Sequence, residues 1–290
     1  MAKTVEEGFR EFHVRLTPTG GESEAAKGHR ASIEACLKKN FEITRFFRTG
    51  SFGNGTSIRG HSDVDYFASI PRGNLKQDSK ATLREVRKAL DARFPNTGVV
   101  VRTPGVVVPF GTEKSEWTEV VPADLIKKDK KGYGIYEIAD GAGGWMRSSP
   151  DAHNAYVASV DKRLGKKVRP LVRFLKAWKY YRNVPISSFH LELRVAKYAA
   201  GETYISYSID VRAVLKLLWD KKLAAMQDPM GMSGYIHPCA TEAQKADALS
   251  KLKTALDRAQ KARTAESAEK ISDAFDWWNL VFDGHFPNYG

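Results

Sequence analysis

Between residues 22 and 39, Ala25, Ala26, His29, Ile33, Cys36 and Leu37 recur at near-helical spacing above a polar opposite face, which predicts a helix. The run ITRFF at 43–47 is rich in β-branched and aromatic residues and predicts a strand. A glycine-rich stretch at 50–60 follows and is expected to lie outside regular structure. DVDYFASI at 63–70 predicts a second strand that stops at Pro71, and Ser79–Arg93 predicts a helix with Leu83, Val86 and Leu90 on one side. Strands are expected at 99–102, 106–108 and 117–121, the last closed by Pro122. Beyond Pro150 the rhythm changes. Residues 151–162, 166–182, 187–200, 208–226, 241–263 and 265–282 all favour helix, and Val168, Leu171, Val172 and Leu175 draw an apolar stripe on the second of these. The expected fold class is α+β: a mixed N-terminal lobe, then a helical lobe, with a cleft between them.

Composition narrows the class. A chain of 290 residues with 42% hydrophobic and 28% charged residues can bury a sizeable core. No apolar run approaches the roughly eighteen residues that a bilayer-crossing helix needs, and MAKTVEEGFREF lacks the apolar core of a signal peptide. No membrane association and a cytoplasmic location are therefore expected. Cys36 and Cys239 stand far apart with no metal-ligand spacing around them, so they read as lone buried thiols. Lysine and arginine exceed aspartate and glutamate by twelve, which suits a polyanionic partner or a phosphate-rich substrate without choosing between them. KKDKK at 127–131 reads as a solvated loop.

The chemistry concentrates in RTGSFGNGTSIRGHSDVDYF, residues 48–67. Gly50 and Ser51, directly after a strand, can present backbone N–H groups and a hydroxyl to phosphate oxygens. Asp63 and Asp65 are two residues apart on a predicted strand, so both carboxylates face one side while Val64 faces the core. Adjacent carboxylates repel unless a cation lies between them, and hard oxygen ligands select Mg²⁺ or Mn²⁺. A third carboxylate allows two ions. Glu119 is the first candidate, alternating with Trp117 and Val121; Asp124, beyond Pro122, ranks second.

At these residues the chain resembles the polymerase-β-type nucleotidyltransferases, whose pattern runs G-[GS], then [DE]-h-[DE], then h-[DE]-h. Within them it is most similar to the cGAS/DncV-like nucleotidyltransferases of bacterial anti-phage signalling (CBASS). TEVVPA at 118–123, VRPLVRFLKAWK at 168–179, ISSFHLE at 186–192 and FDGHFP at 282–287 carry the narrower resemblance. It implies a nucleotidyltransferase lobe of mixed sheet and helices at 41–150, a helical domain at 151–290, and an N-terminal helix at 1–40 packing along both. The implied activity joins nucleoside triphosphates into a cyclic di- or trinucleotide messenger with release of pyrophosphate. The implied roles are metal binding by Asp63, Asp65 and Glu119 around two Mg²⁺ or Mn²⁺ ions. Donor-phosphate contacts fall to Gly50 and Ser51, triphosphate contacts to Lys176 and Ser188, and base stacking to Phe189. Trp178, His190 and Glu192 read as structural. The family usually has aspartate where this chain has Glu119.

The resemblance also brings regulatory partners or proteins that conjugate the C-terminus, here Gly290, and no requirement for nucleic acid. The zinc-bearing insertion through which the animal relative senses DNA has no counterpart in the cysteine and histidine content. Two other functions share parts of this pattern: an RNA 3′-terminal nucleotidyltransferase using the same carboxylates, and a nucleic-acid-binding module with a vestigial site.

Overall fold

The N-terminal stretch, expected as one helix, holds two: α1 (Val5–Leu16) and α2 (Gly20–Phe41). Thr4 and Glu7 form a capping box at the start of α1, each side chain meeting the other's backbone N–H. The helix stops at Thr17, which is extended and precedes Pro18, a position that disfavours helical backbone. The computed structural model describes residues 2–18, 20–60, 64–111 and 116–290. It divides into two units. One comprises Met1–Thr17, Tyr156–Pro229 and Tyr235–Gly290; the other comprises Pro18–Ala155 and Met230–Gly234.

The second unit is built on a mixed sheet. Its elements are β1 (Arg45–Thr49), α3 (Gly50–Asn54), β2 (Val64–Ser69), α4 (Ser79–Arg93), β3 (Val100–Arg102), β4 (Gly105–Phe110), β5 (Glu116–Lys128), β6 (Gly134–Ala139) and β7 (Trp145–Ser148). The strand order is β1-β2-β5-β4-β3, with β6 on β5 and β7 on β6. β2 and β5 run parallel, and the other pairings are antiparallel. Ile33 and Leu37 of α2 and Leu83, Val86 and Leu90 of α4 bury one face of this sheet against Val64, Tyr66, Val106, Val108 and Val120. Alternation then sends Asp65, Phe67, Glu119, Val121 and Ala123 to the opposite face. There Phe67, Val121 and Ala123 pack with Tyr136 and Ile138 of β6.

Two local expectations need correction. The glycine-rich stretch is not wholly irregular, because its first residues form α3. Its glycines mark the helix ends: Gly50 has φ +56° and Gly55 caps the helix in left-handed conformation with φ 65°. Pro122 does not end β5. It falls between Val120, the last residue paired with β4, and Asp124, the first paired with β6. One edge of β5 has no ladder there, so the missing N–H costs little.

α5 (Pro150–Arg163) runs across the division between units. The first unit continues with α6 (Val168–Tyr181), α7 (Ser188–Ala200), α8 (Tyr207–Asp220), the short strands β8 (Met226–Gln227) and β9 (Tyr235–Ile236), α9 (Glu242–Ser267) and α10 (Ile271–Val281). Its centre is aromatic. The Phe9 ring of α1 lies 5.0 Å from those of Phe174, Trp278 and Phe286, and all four side chains are almost fully buried. Edge-to-face pairs of this kind add to area burial. Among the described residues no helix is long and apolar enough to cross a membrane. Cys36 is buried, Cys239 is half-buried, and both thiols are free, with burial pushing each upward in pKa.

Candidate functional site

The register places two acids side by side. Asp65 on β2 is the partner of Glu119 on β5, and Thr49, the last residue of β1, is the partner of Asp65 on its other side. Paired residues of neighbouring strands project to the same face, about 5 Å apart, so the two carboxylates emerge together on the face away from α2 and α4. Both are half-buried, while the flanking Val64, Tyr66, Thr118 and Val120 are buried.

Each acid occupies space that a glycine leaves open. A Cβ on Gly50 would collide with the Asp65 carboxylate, and the positive φ of Gly50 independently disfavours any other residue. A Cβ on Gly105 would lie 2.7 Å from Glu119 Oε1 and 2.8 Å from the Val120 carbonyl oxygen. Close approach of a phosphate is what the sequence leads one to expect at Gly50; the structure adds close approach of the chain's own carboxylate.

This donor set fits a hard divalent cation: two carboxylates in register, offered from strands and not from mobile loops. Asp63, expected as a further ligand, lies outside the described residues. Among the described residues no group of three or more metal-binding side chains assembles. Asp124 is not part of this pair. It stands opposite Glu137 on β6, and its carboxyl is raised by burial, with Arg72 lowering and Glu137 raising it further. Ser51 sits in the first turn of α3, its carbonyl accepting from the Thr56 N–H at 2.8 Å. A cation that the sequence reading missed stands on the same face as the acids: the Arg102 guanidinium lies 4.6 Å from the ring of Trp117, two residues before Glu119.

The remaining candidates lie in the helical unit, and one needs correction. Lys176 was expected to reach a triphosphate, but its side chain is only 2% exposed and its Nζ donates to Glu192 Oε2 at 2.7 Å. A buried ion pair of this geometry is a structural element, since either charge without the other would be strongly unfavourable. Lys179, one turn on and half-buried, has its Nζ 2.5 Å from Ser188 Oγ. The Tyr180 hydroxyl lies 3.2 Å from the same oxygen. Ser187 caps α7 by accepting from the His190 N–H, which leaves Ser188 as the first helical residue. Phe189 is 43% exposed and therefore not core. His190 is buried, with Nδ1 2.9 Å from the Ile236 carbonyl oxygen.

The fold is that of a nucleotidyltransferase. It matches Escherichia coli MS115-1 CdnC solved with ATP, with a TM-score of 0.74 at 19% identity over 98% of this chain and 99% of that one. The same E. coli protein in complex with HORMA-deltaN gives 0.72 at 19% identity, over 98% of each chain. Vibrio cholerae DncV cyclic AMP-GMP synthase, solved with the linear intermediate 5′-pppA(3′,5′)pG, gives 0.74 at 16% identity over 94% of this chain and 93% of that one. The chain belongs to the SMODS family, the Second Messenger Oligonucleotide or Dinucleotide Synthetase domain, which it matches over residues 3–160. It is 24% identical over 176 residues to a probable cyclic nucleotide synthase of Bacillus cereus (strain VD146), covering 60% of this chain and 53% of that protein. It is 29% identical over 174 residues to the CBASS oligonucleotide cyclase CdnC of E. coli (strain KTE188), covering 55% and 53%. The chain thus spans about half the length of the curated relatives it matches.

Proposed function

We propose that this chain joins nucleoside triphosphates into a cyclic di- or trinucleotide messenger of anti-phage signalling. The observation that carries the reading is the in-register pair Asp65 and Glu119 beside the Gly50–Ser51 turn. Asp65 and Glu119, with Asp63, would hold Mg²⁺ or Mn²⁺, two ions if all three ligate. Such ions, when bound, neutralise triphosphate charge and make the attacking hydroxyl more acidic. Gly50 and Ser51 contact the donor phosphates. In each bond-forming step a ribose hydroxyl attacks the α-phosphorus, the α–β phosphoanhydride breaks, pyrophosphate leaves with the electron pair, and the hydroxyl proton passes to solvent. Two such steps close a dinucleotide ring and three a trinucleotide.

In the helical unit, Lys179 and Ser188 are the triphosphate contacts in place of Lys176, a point charge and a helix-start hydroxyl suited to phosphate. The exposed Phe189 ring is the stacking surface for a base. A regulatory protein partner, action without nucleic acid and a cytoplasmic setting belong to the same proposal. The test incubates purified protein with labelled ATP, GTP, CTP and UTP plus Mg²⁺ or Mn²⁺, followed by phosphatase. A resistant product that vanishes in the Asp65→Asn variant supports the reading. A product that forms only on added RNA 3′ ends replaces it with the terminal-transferase reading.

A further inference from the structure

The helical unit contains a pocket of about 290 Å³ between α6, α9 and α10 that shares no residue with the carboxylate face. Arg182, just past the end of α6, and Lys251, Thr254 and Arg258 on one face of α9 line it, with Trp178 and Val281 as apolar wall. Every charged side chain in the lining is a cation. The carboxylates nearest these cations in the ion-pair pattern, Asp283 with Arg182 and Asp247 with Lys251, are not in the lining.

Two of the cations are held against each other. Arg182 Nη2 and Arg258 Nη1 both donate to the Leu280 carbonyl oxygen, in the last turn of α10. A basic side chain commonly satisfies a carbonyl at a helix C-terminus, and a single donor does so. The second guanidinium adds like-charge repulsion. Burial depresses the Arg182 pKa, Asp283 works in the opposite direction, and Arg258 depresses it again. The Trp178 indole N–H in the wall is also buried with no acceptor among the described residues. Arg182 spends its nitrogens on Val281, Leu280 and Asp283, whereas Lys251, on Asn183 and Asp247, and Arg258, on Leu280, keep N–H groups that an oxyanion in this concave site would complete.

We propose that this pocket binds the phosphate group of a small phosphorylated metabolite on the scale of a nucleoside monophosphate. The volume is at the lower end for small-molecule sites, roughly 300 Å³ upward, and leaves no room for a polymer groove. Arg258 and Lys251 supply the charge-assisted hydrogen bonds, Arg182 the flanking charge, and Trp178 and Val281 the apolar surface for the organic part.

The test labels the full chain with ¹⁵N-tryptophan, which gives six indole signals; Trp178→Phe identifies its own. Titrations with AMP, inorganic phosphate, adenosine and an RNA oligonucleotide are run in chelator, so that no divalent ion supports binding at the carboxylates. The expected result is a saturable movement of the Trp178 signal with AMP and with phosphate, and none with adenosine. AMP affinity should fall at least about tenfold in Lys251→Gln/Arg258→Gln, the loss of charge-assisted bonds, and survive in Asp65→Asn. Thr254→Glu, which sets a carboxylate at the pocket, should abolish the response even if the double variant folds poorly. Equal responses to adenosine and AMP, unchanged affinity in both pocket variants, or a response only to an RNA oligonucleotide would each overturn the proposal.

Discussion

Asp65 and Glu119 are register partners on parallel strands, and each carboxylate fills the space beside a glycine, Gly50 for Asp65 and Gly105 for Glu119. The sheet therefore fixes the separation of the two charges, and the glycines fix their approach. Two half-buried carboxylates at this spacing repel one another, and the proposed divalent ion would relieve that repulsion. Carboxylates placed on strands and not on loops would hold the proposed ion in a fixed geometry.

Neutralising either acid should separate activity from stability. Asp65→Asn and Glu119→Gln are each expected to lower turnover of nucleoside triphosphates by at least about 100-fold, the scale of losing a group that stabilises transition-state charge. In metal-free buffer the melting temperature should stay level or rise, because like-charge repulsion is removed. Turnover assays and thermal melts with and without Mg²⁺ check both. A variant that keeps wild-type turnover removes that acid from the site.

Gly50→Ala and Gly105→Ala should act through the acids beside them. At Gly50 the added Cβ meets the Asp65 carboxylate at a φ of +56°, so the cost combines backbone strain with displacement of the acid. A destabilisation of about 1–3 kcal/mol is expected, with activity lost beyond what the unfolded fraction explains. At Gly105 the obstructing atoms include the Val120 carbonyl oxygen at 2.8 Å, which belongs to the sheet and cannot swing away. Denaturant melts and turnover at saturating Mg²⁺ distinguish the two contributions. Gly60→Ala, with nothing within 4 Å of the added Cβ, is the control for positive φ alone.

The parts of this design that were legible in the sequence are those set by local periodicity. The predicted helix Ser79–Arg93 is α4 to the residue, and the period of two along β2 put Asp65 opposite the core face. The α1 helix was legible too, in Thr4 and Glu7 as a capping box and in Val5, Phe9, Phe12 and Leu16 at helical spacing, although it was expected only as part of one longer helix over 1–40. β6 and β7 went unread because glycines at 141, 143 and 144 break the pattern between them. The burial of Lys176 was not a local property. It lies beside the apolar stripe of α6, and what buries its charge is Glu192 on another helix.

That burial gives Lys176 and Lys179 different phenotypes. Lys176→Met leaves Glu192 buried without its cation and should destabilise the protein by about 3–5 kcal/mol. Adding Glu192→Leu should recover most of this, because a buried ion pair exchanged for apolar groups is often near neutral. Lys179→Ala leaves no buried charge unpaired and should cost only about 1 kcal/mol, the scale of one hydrogen bond, and raise KM for triphosphate. Equal destabilisation by both single variants would contradict the assignment.

Acid should weaken the helical unit through His190. The Ile236 carbonyl can only accept, so Nδ1 carries the proton and donates at 2.9 Å, leaving Nε2 buried without a partner among the described residues. Protonation would place a charge on that enclosed nitrogen. Burial accordingly lowers the His190 pKa to about 4 from an ordinary 6.5, with the Ile236 hydrogen bond opposing the shift and Arg194 and His237 adding to it. Between those values the unfolded chain binds the proton and the folded one does not. The stabilisation is therefore complete above pH 6.5 and is lost progressively as pH falls towards 4, by up to about 3 kcal/mol. His13, lowered to about 4 by burial and by Arg173, acts in the same direction, so the whole-protein melt does not isolate one ring. His190→Asn does, because its amide can donate to Ile236 but does not titrate. Subtracting its melting curve from that of the wild type at each pH from 7 to 4.5 should leave a difference that shrinks, and then reverses in favour of the variant, as acid is added. A difference that stays constant with pH would show that His190 does not carry the acid sensitivity.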